Sequence, residues 1–176
     1  MFDPIEIIEF NKQIEVVRGR NPMEVFRYGN CGTHHEILEL AFGKDALPFH
    51  SKFFVNKDCS KIKHNPLIWA VKSDFTEIGH IITWIRNSYF DVGGRLKAVK
   101  DQYLRFLKEV PHGFQLGYAI NDSLSVVHKL EETKKERLRM NNNKKLVQML
   151  ISRKRSGLKS PVDIKNELRY LDDPSF

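Results

Sequence analysis

Cys31 stands in the run Tyr28-Gly29-Asn30-Cys31-Gly32-Thr33, just ahead of Ile37, Leu38, Ala41 and Phe42, which have the spacing of one helix face and meet a stop at Gly43. That pattern places a thiol at a helix N-terminus, where unsatisfied amides and a partial positive charge stabilise a thiolate. Glycine at position 32 leaves room beside the sulfur, and the amides of the helix start are suited to hold an oxyanion. A thiol nucleophile also needs a base. His80 opens the apolar run Ile81 to Ile85, and Asp91 follows beyond the polar break Arg86-Asn87-Ser88. With a two-residue hairpin turn, His80 and Asp91 share a sheet face and come within diagonal reach; a three-residue turn breaks that parity unless a bulge restores it. The expected roles are Cys31 as nucleophile, His80 as general base and then acid, and Asp91 as the group that fixes the imidazole.

The elements that must carry these residues can be read from local grammar. Asp3-Pro4-Ile5-Glu6, Asn21-Pro22-Met23-Glu24 and Ser160-Pro161-Val162-Asp163 each place a capping side chain before proline and a carboxylate soon after, which predicts three helix starts. The first helix is expected to end at Arg18-Gly19-Arg20. From Leu47 to Asp91 the pattern turns to strand, with Phe53 to Val55, Leu67 to Val71, Ile78 to Ile85 and Tyr89 to Val92 as β-branched or aromatic runs. Gly93-Gly94 is expected to close the sheet, and Leu96 to Leu107 then reads as a helix. After an extended stretch from Phe114 to Ala119, a helix is predicted from near Asn121 or Ser123. Asn141-Asn142-Asn143 is expected to interrupt it before a further helix from Lys144 to Arg155.

The run YGNCGTHHEILEL followed by GHIITWIRNSYFDVGG resembles the papain-like and transglutaminase-like cysteine enzymes, in which a Cys begins a helix and His and Asp or Asn lie on successive strands. The resemblance spans roughly residues 21 to 95. It implies an α+β fold, a papain-like/transglutaminase-like core with N-terminal helices packed on a small antiparallel sheet, and hydrolysis or transfer at an amide or isopeptide bond through an acyl-enzyme. A peptidase, deamidase or transglutaminase-like activity on a protein or peptide substrate is the expected chemistry, with no cofactor. Papain-like enzymes often carry an oxyanion glutamine upstream of the nucleophile; here Asn30 or Asn21 would substitute. Asn30, Gly32 and Trp84 are the residues expected at the substrate and oxyanion positions.

Over 176 residues the chain is 41% apolar and 29% charged with twelve Phe, a globular composition. The acidic N-terminal stretch is unlike a signal peptide and no apolar run approaches a membrane span, so a cytoplasmic protein with reduced thiols and no membrane partner is expected. The net charge of +7 is concentrated between His128 and Lys159, where eleven Lys or Arg face three Glu. This divides the chain into an α+β core over 1–119 and a basic helical extension over 120–176. Lys134, Lys135, Arg137, Arg139, Lys144, Lys145, Arg153, Lys154 and Arg155 make the extension a candidate surface for nucleic acid or an acidic protein. A non-enzymatic binding protein using that surface is the alternative reading. Two weaker patterns complete the survey. Cys31-x-x-His34 with Cys59 and His64 offers zinc-type ligands in a spacing of no familiar finger, so no metal is expected. Asn65-Pro66-Leu67 with Thr76-Glu77-Ile78 looks like one ankyrin-like repeat, which cannot bury its own face alone.

Overall fold

A computed structural model describes residues 2–27, 30–56, 75–96, 115–122, 134–159 and 162–172. The expected features at Cys59, His64, Leu67 to Val71 and Val99 to Leu107 lie outside those residues. Three helices lead the chain: α1 (Pro4–Val17), α2 (Pro22–Arg27) and α3 (Cys31–Phe42). The first two start as predicted, because Asp3 Oδ1 accepts from Ile5 N and Asn21 Oδ1 accepts from Met23 N, both at 3.0 Å. Gly19 and Gly43 have φ of +75° and +56°, the left-handed region that glycine enters without a Cβ penalty, and they end α1 and α3.

Five antiparallel strands follow, β1 (Ala46–Asn56), β2 (Phe75–Ile85), β3 (Ser88–Asp91), β4 (Gly94–Leu96) and β5 (Gln115–Asp122), in the spatial order β4-β3-β2-β1-β5. The mixed α+β class is therefore as expected. The sheet does not close at Gly93-Gly94: Gly94, at φ +99°, opens a further short strand whose Arg95 pairs with Phe90. Asn121 and Asp122 continue β5 against Ser51 and His50 instead of starting a helix, so the expected division after residue 119 falls inside a strand.

Two helices complete the description, α4 (Lys134–Arg155) and α5 (Ile164–Asp172). Helix α4 runs unbroken through Asn141-Asn142-Asn143, contrary to the expected interruption. Asparagine breaks helices when its side chain competes for local backbone groups; here Asn142 and Asn143 are buried and their side chains are spent on distant partners. Asn142 Nδ2 donates to Leu171 O and Asp172 Oδ1, and Asn143 Nδ2 donates to Glu15 Oε1 at 2.7 Å. The last helix begins three residues later than the proline signal predicts, because Asp163 takes the capping role and accepts from Asn166 N.

One apolar core joins both ends of the chain. Ile7, Ile8 and Ile14 of α1 and Ile37, Leu38 and Ala41 of α3 pack with Ile85 and Phe90 of the sheet and with Leu146, Val147 and Ile151 of α4. The basic extension is thus a tail in sequence but a wall of the core in space. A second cluster, Val25, Phe26, Val92 and Met140, fixes the turn that follows Asp91 against α2 and α4.

Candidate active site

The β2–β3 hairpin decides whether His80 and Asp91 can meet. Ile85 pairs with Ser88, Trp84 with Tyr89 and Thr83 with Phe90, so the turn is the two residues Arg86-Asn87 and Ser88 already belongs to the strand. Both turn residues have positive φ, +48° and +65°, the arrangement whose twist matches a two-residue hairpin. Arginine is poorly suited to that conformation, and its guanidinium lies over the Phe42 ring, 5.6 Å from the centroid, which offsets part of the strain. Continuing the register places Asp91 opposite Ile82, the diagonal neighbour of His80 on the same face. His80 Nε2 lies 3.9 Å from Asp91 Oδ2, while Asp91 Oδ1 accepts from Gly93 N at 2.8 Å. That second bond orients the carboxylate.

Cys31 reaches this pair because β3 is short. In the antiparallel ladder the next hydrogen-bonded position of β2 after Thr83 is Ile81, but the chain turns away at Val92 and leaves the Ile81 amide without a strand partner. The Cys31 sulfur, at the first residue of α3, accepts from that amide and from the amide of Gly32, and lies within hydrogen-bonding reach of His80. His80 Nδ1 is buried and has no hydrogen-bond partner among the described residues, and at 3.9 Å Nε2 meets Asp91 as a charge contact. All three residues are buried.

The electrostatics follow from these contacts. Burial by itself raises the Cys31 pKa, but the hydrogen bond and charge of His80 and the amides of Ile81 and Gly32 outweigh it and leave the thiol below its ordinary value. Burial likewise opposes the His80 cation, yet the close Asp91 carboxylate and Cys31 sulfur, through their polar contact and negative charge, push the imidazole up to about 9. Each partner therefore stabilises the ionised form of the other. A thiol and an imidazole coupled in this way are the arrangement that thiolate chemistry requires.

His34, one of the zinc-type ligands in the sequence pattern, is a further neighbour of this pair; it and His35 are both buried. His35 Nδ1 lies 3.0 Å from Thr83 Oγ1, which ties α3 to β2. The His34 ring packs on Phe26 with centroids 5.5 Å apart, close enough to Asp91 and His80 to feel their charges. Burial drives its pKa down to about 4, so it is neutral beside the ion pair. Its signal in the sequence is position alone: three residues after Cys31, one helical turn on, it lies on the same side of α3.

The other expected residues are placed elsewhere. Asn30 directs Nδ2 to Glu136 Oε1 at 3.2 Å, so its amide is engaged by α4. Gly32 is the second residue of α3, and its amide faces the sulfur. Trp84 is four residues along β2 from His80, roughly 13 Å away, and packs its ring edge-on to Tyr89. Of the basic residues, Lys144 pairs with Glu36, Lys154 with Glu6, and Arg139 with Glu136. Lys134, Lys135, Arg137, Lys145 and Arg155 are exposed. Beside Asn30 opens a polar cavity of about 510 Å³, walled by Arg20, Asn21, Glu24 and Glu136. Among the described residues no group of three His, Cys, Asp or Glu is disposed to hold a metal ion, and no helix is long and apolar enough to cross a membrane. Comparison with protein-family models, with curated proteins and with solved structures gives no match, so the site is read from its own geometry.

Proposed function

We propose that this chain is a cysteine-nucleophile hydrolase or acyl transferase acting on an amide or isopeptide bond, with a core of the papain-like or transglutaminase-like kind. The observation that carries the reading is the buried line Cys31, His80, Asp91, in which the thiol is held below its ordinary pKa while the imidazole is raised to about 9. In this reaction the Cys31 thiolate attacks the carbonyl carbon, and the amide of Gly32, at the positive end of α3, helps hold the negative oxygen. The His80 imidazolium gives its proton to the leaving nitrogen as the C–N bond breaks, and a thioester to Cys31 remains. Neutral His80 then takes a proton from water, or from an acceptor amine, whose attack releases the acyl group and restores the thiolate and imidazolium. Asp91 acts by holding the imidazole and favouring its cation. The polar cavity beside Asn30, with Arg20, Glu24 and Glu136 on its walls, suits a peptide backbone and charged side chains approaching the start of α3.

Labelling with an iodoacetamide probe at neutral pH tests the proposal, comparing the native chain with Cys31→Ala and Cys59→Ala. The expected result is labelling that survives loss of Cys59 and disappears with loss of Cys31. Labelling carried by Cys59, or by neither thiol, would overturn it.

A further inference from the structure

We infer that α4 carries a docking face for the phosphate backbone of a duplex nucleic acid, built on Lys134, Arg137, Lys145 and Arg155. At about 100° per residue, these four fall on one side of the helix, opposite the side where Met140, Asn143, Leu146, Val147 and Ile151 are buried. All four are exposed, as are Asn141, Gln148 and Ser152, which fill the gaps between them with neutral hydrogen-bonding groups. The only acid on the helix, Glu136, is turned to Arg20 and Asn30. The neighbouring cations Lys144 and Lys154 are engaged by Glu36 and Glu6 on the N-terminal helices. Cations paired with carboxylates of the N-terminal helices are thus separated from cations that face outward, of which Arg155 also lies over the Phe2 ring, 5.6 Å from its centroid; among the described residues the outward face holds no carboxylate.

The chemistry of the ridge selects its partner. It runs about 32 Å from Lys134 to Arg155, close to one turn of duplex. A docking face for protein would centre on aromatic or apolar anchors, and this one offers Leu138 alone. A membrane-surface helix must present its apolar side to lipid, but here that side is in the core. Single-stranded nucleic acid is held by stacking aromatics, and none lies on the ridge. Cations spread along the length of the ridge and interleaved with amides and a hydroxyl match phosphate and sugar oxygens read without regard to base sequence.

The test is fluorescence anisotropy of 20-base-pair DNA and RNA duplexes with the full chain between about 50 and 200 mM salt. Micromolar binding is expected, with log K falling against log salt at a slope of about −3 to −4. Joint reversal of Arg137, Lys145 and Arg155 to Glu should weaken binding at least tenfold, whereas reversing Lys44, Lys165 and Arg169 should change it less than about twofold. Equal loss in both triples would mean that bulk charge alone acts, and would overturn the inference. So would binding that ignores salt, or equally tight binding of single strands, poly-glutamate or phosphatidylserine vesicles. These last comparisons use the native chain, so they decide the matter even if a variant fails to fold. Cys31→Ala should bind the duplex as the native chain does, which separates this inference from the proposed enzyme activity.

Discussion

Among the described residues two polar clusters sit at the core, and they are made of different groups. Between α1, α4 and α5, Arg18 binds Asp172, Arg139 O and Asn143 Oδ1, Asn143 binds Glu15, and Arg20 links Glu15 to Glu136. At the edge of β2, Cys31, His80, Asp91 and His34 crowd together, with His80 Nδ1 and His34 Nε2 lacking regular hydrogen-bond partners. The helical cluster uses guanidinium, carboxylate and amide groups, which fix one another in place through ion pairs and hydrogen bonds. The sheet-edge cluster uses a thiol and imidazoles whose proton affinities the site pushes apart, His34 down to about 4 and His80 up to about 9. Rigid charge serves as scaffold, and movable protons are the part suited to chemistry.

Substitutions should separate the two clusters. The largest effect is expected from His80→Ala, which removes the proton donor and the charge that favours the thiolate: turnover or probe labelling at Cys31 of the folded fraction should fall about 10² to 10⁴-fold, with some loss of stability because His80 is buried beside the Asp91 carboxylate. Arg18→Ala should act on stability alone. Loss of a buried partner leaves Glu15 and Asp172 without it and is expected to cost about 3 kcal/mol of stability, read by chemical denaturation, while Cys31 of the folded fraction stays reactive. An Arg18→Ala chain whose folded fraction lost Cys31 reactivity would dissolve the distinction.

His34 gives an acid-side prediction of similar size. Its folded pKa of about 4 lies below the ordinary 6.5, so on acidification the unfolded chain takes up a proton first. Stability should therefore be full above about 6.5 and fall by something on the order of 3 kcal/mol as the pH drops to about 4. His34→Phe should flatten that slope in equilibrium unfolding measured across the range. The smallest effect concerns the turn that sets the parity of the site. Asn87→Gly relieves the left-handed strain and is expected to stabilise the fold by about 0.5 kcal/mol, seen as a small rise in Tm.

The two clusters also differ in how far the sequence reveals them. Cys31 at a helix start, and His80 and Asp91 across a short hairpin, are brought together by local spacing, because strand parity and turn length fix which side chains share a face. The break Arg86-Asn87-Ser88 left that parity open until Ser88 took its place in β3. Helix starts with Asp-Pro or Asn-Pro were equally local, and the first two formed where expected. The helical cluster could not be read this way, because Asn142 and Asn143 have the residue type of a break, and their helix continues only when α1 and α5 supply Glu15, Leu171 O and Asp172. The place of His34 beside His80 and Asp91 was hidden for the same reason, since its neutrality comes from burial that spacing does not disclose.

The most direct test is the pH dependence of the Cys31 alkylation rate, measured in a Cys59→Ala background and again with Asp91→Asn added. The coupled pair predicts a thiol that ionises below its ordinary value, with a change near pH 9 as His80 loses its proton, and a shift of that change to lower pH when Asp91 no longer supports the cation. A Cys31 that ionises at or above the ordinary thiol value, indifferent to Asp91, would contradict the account.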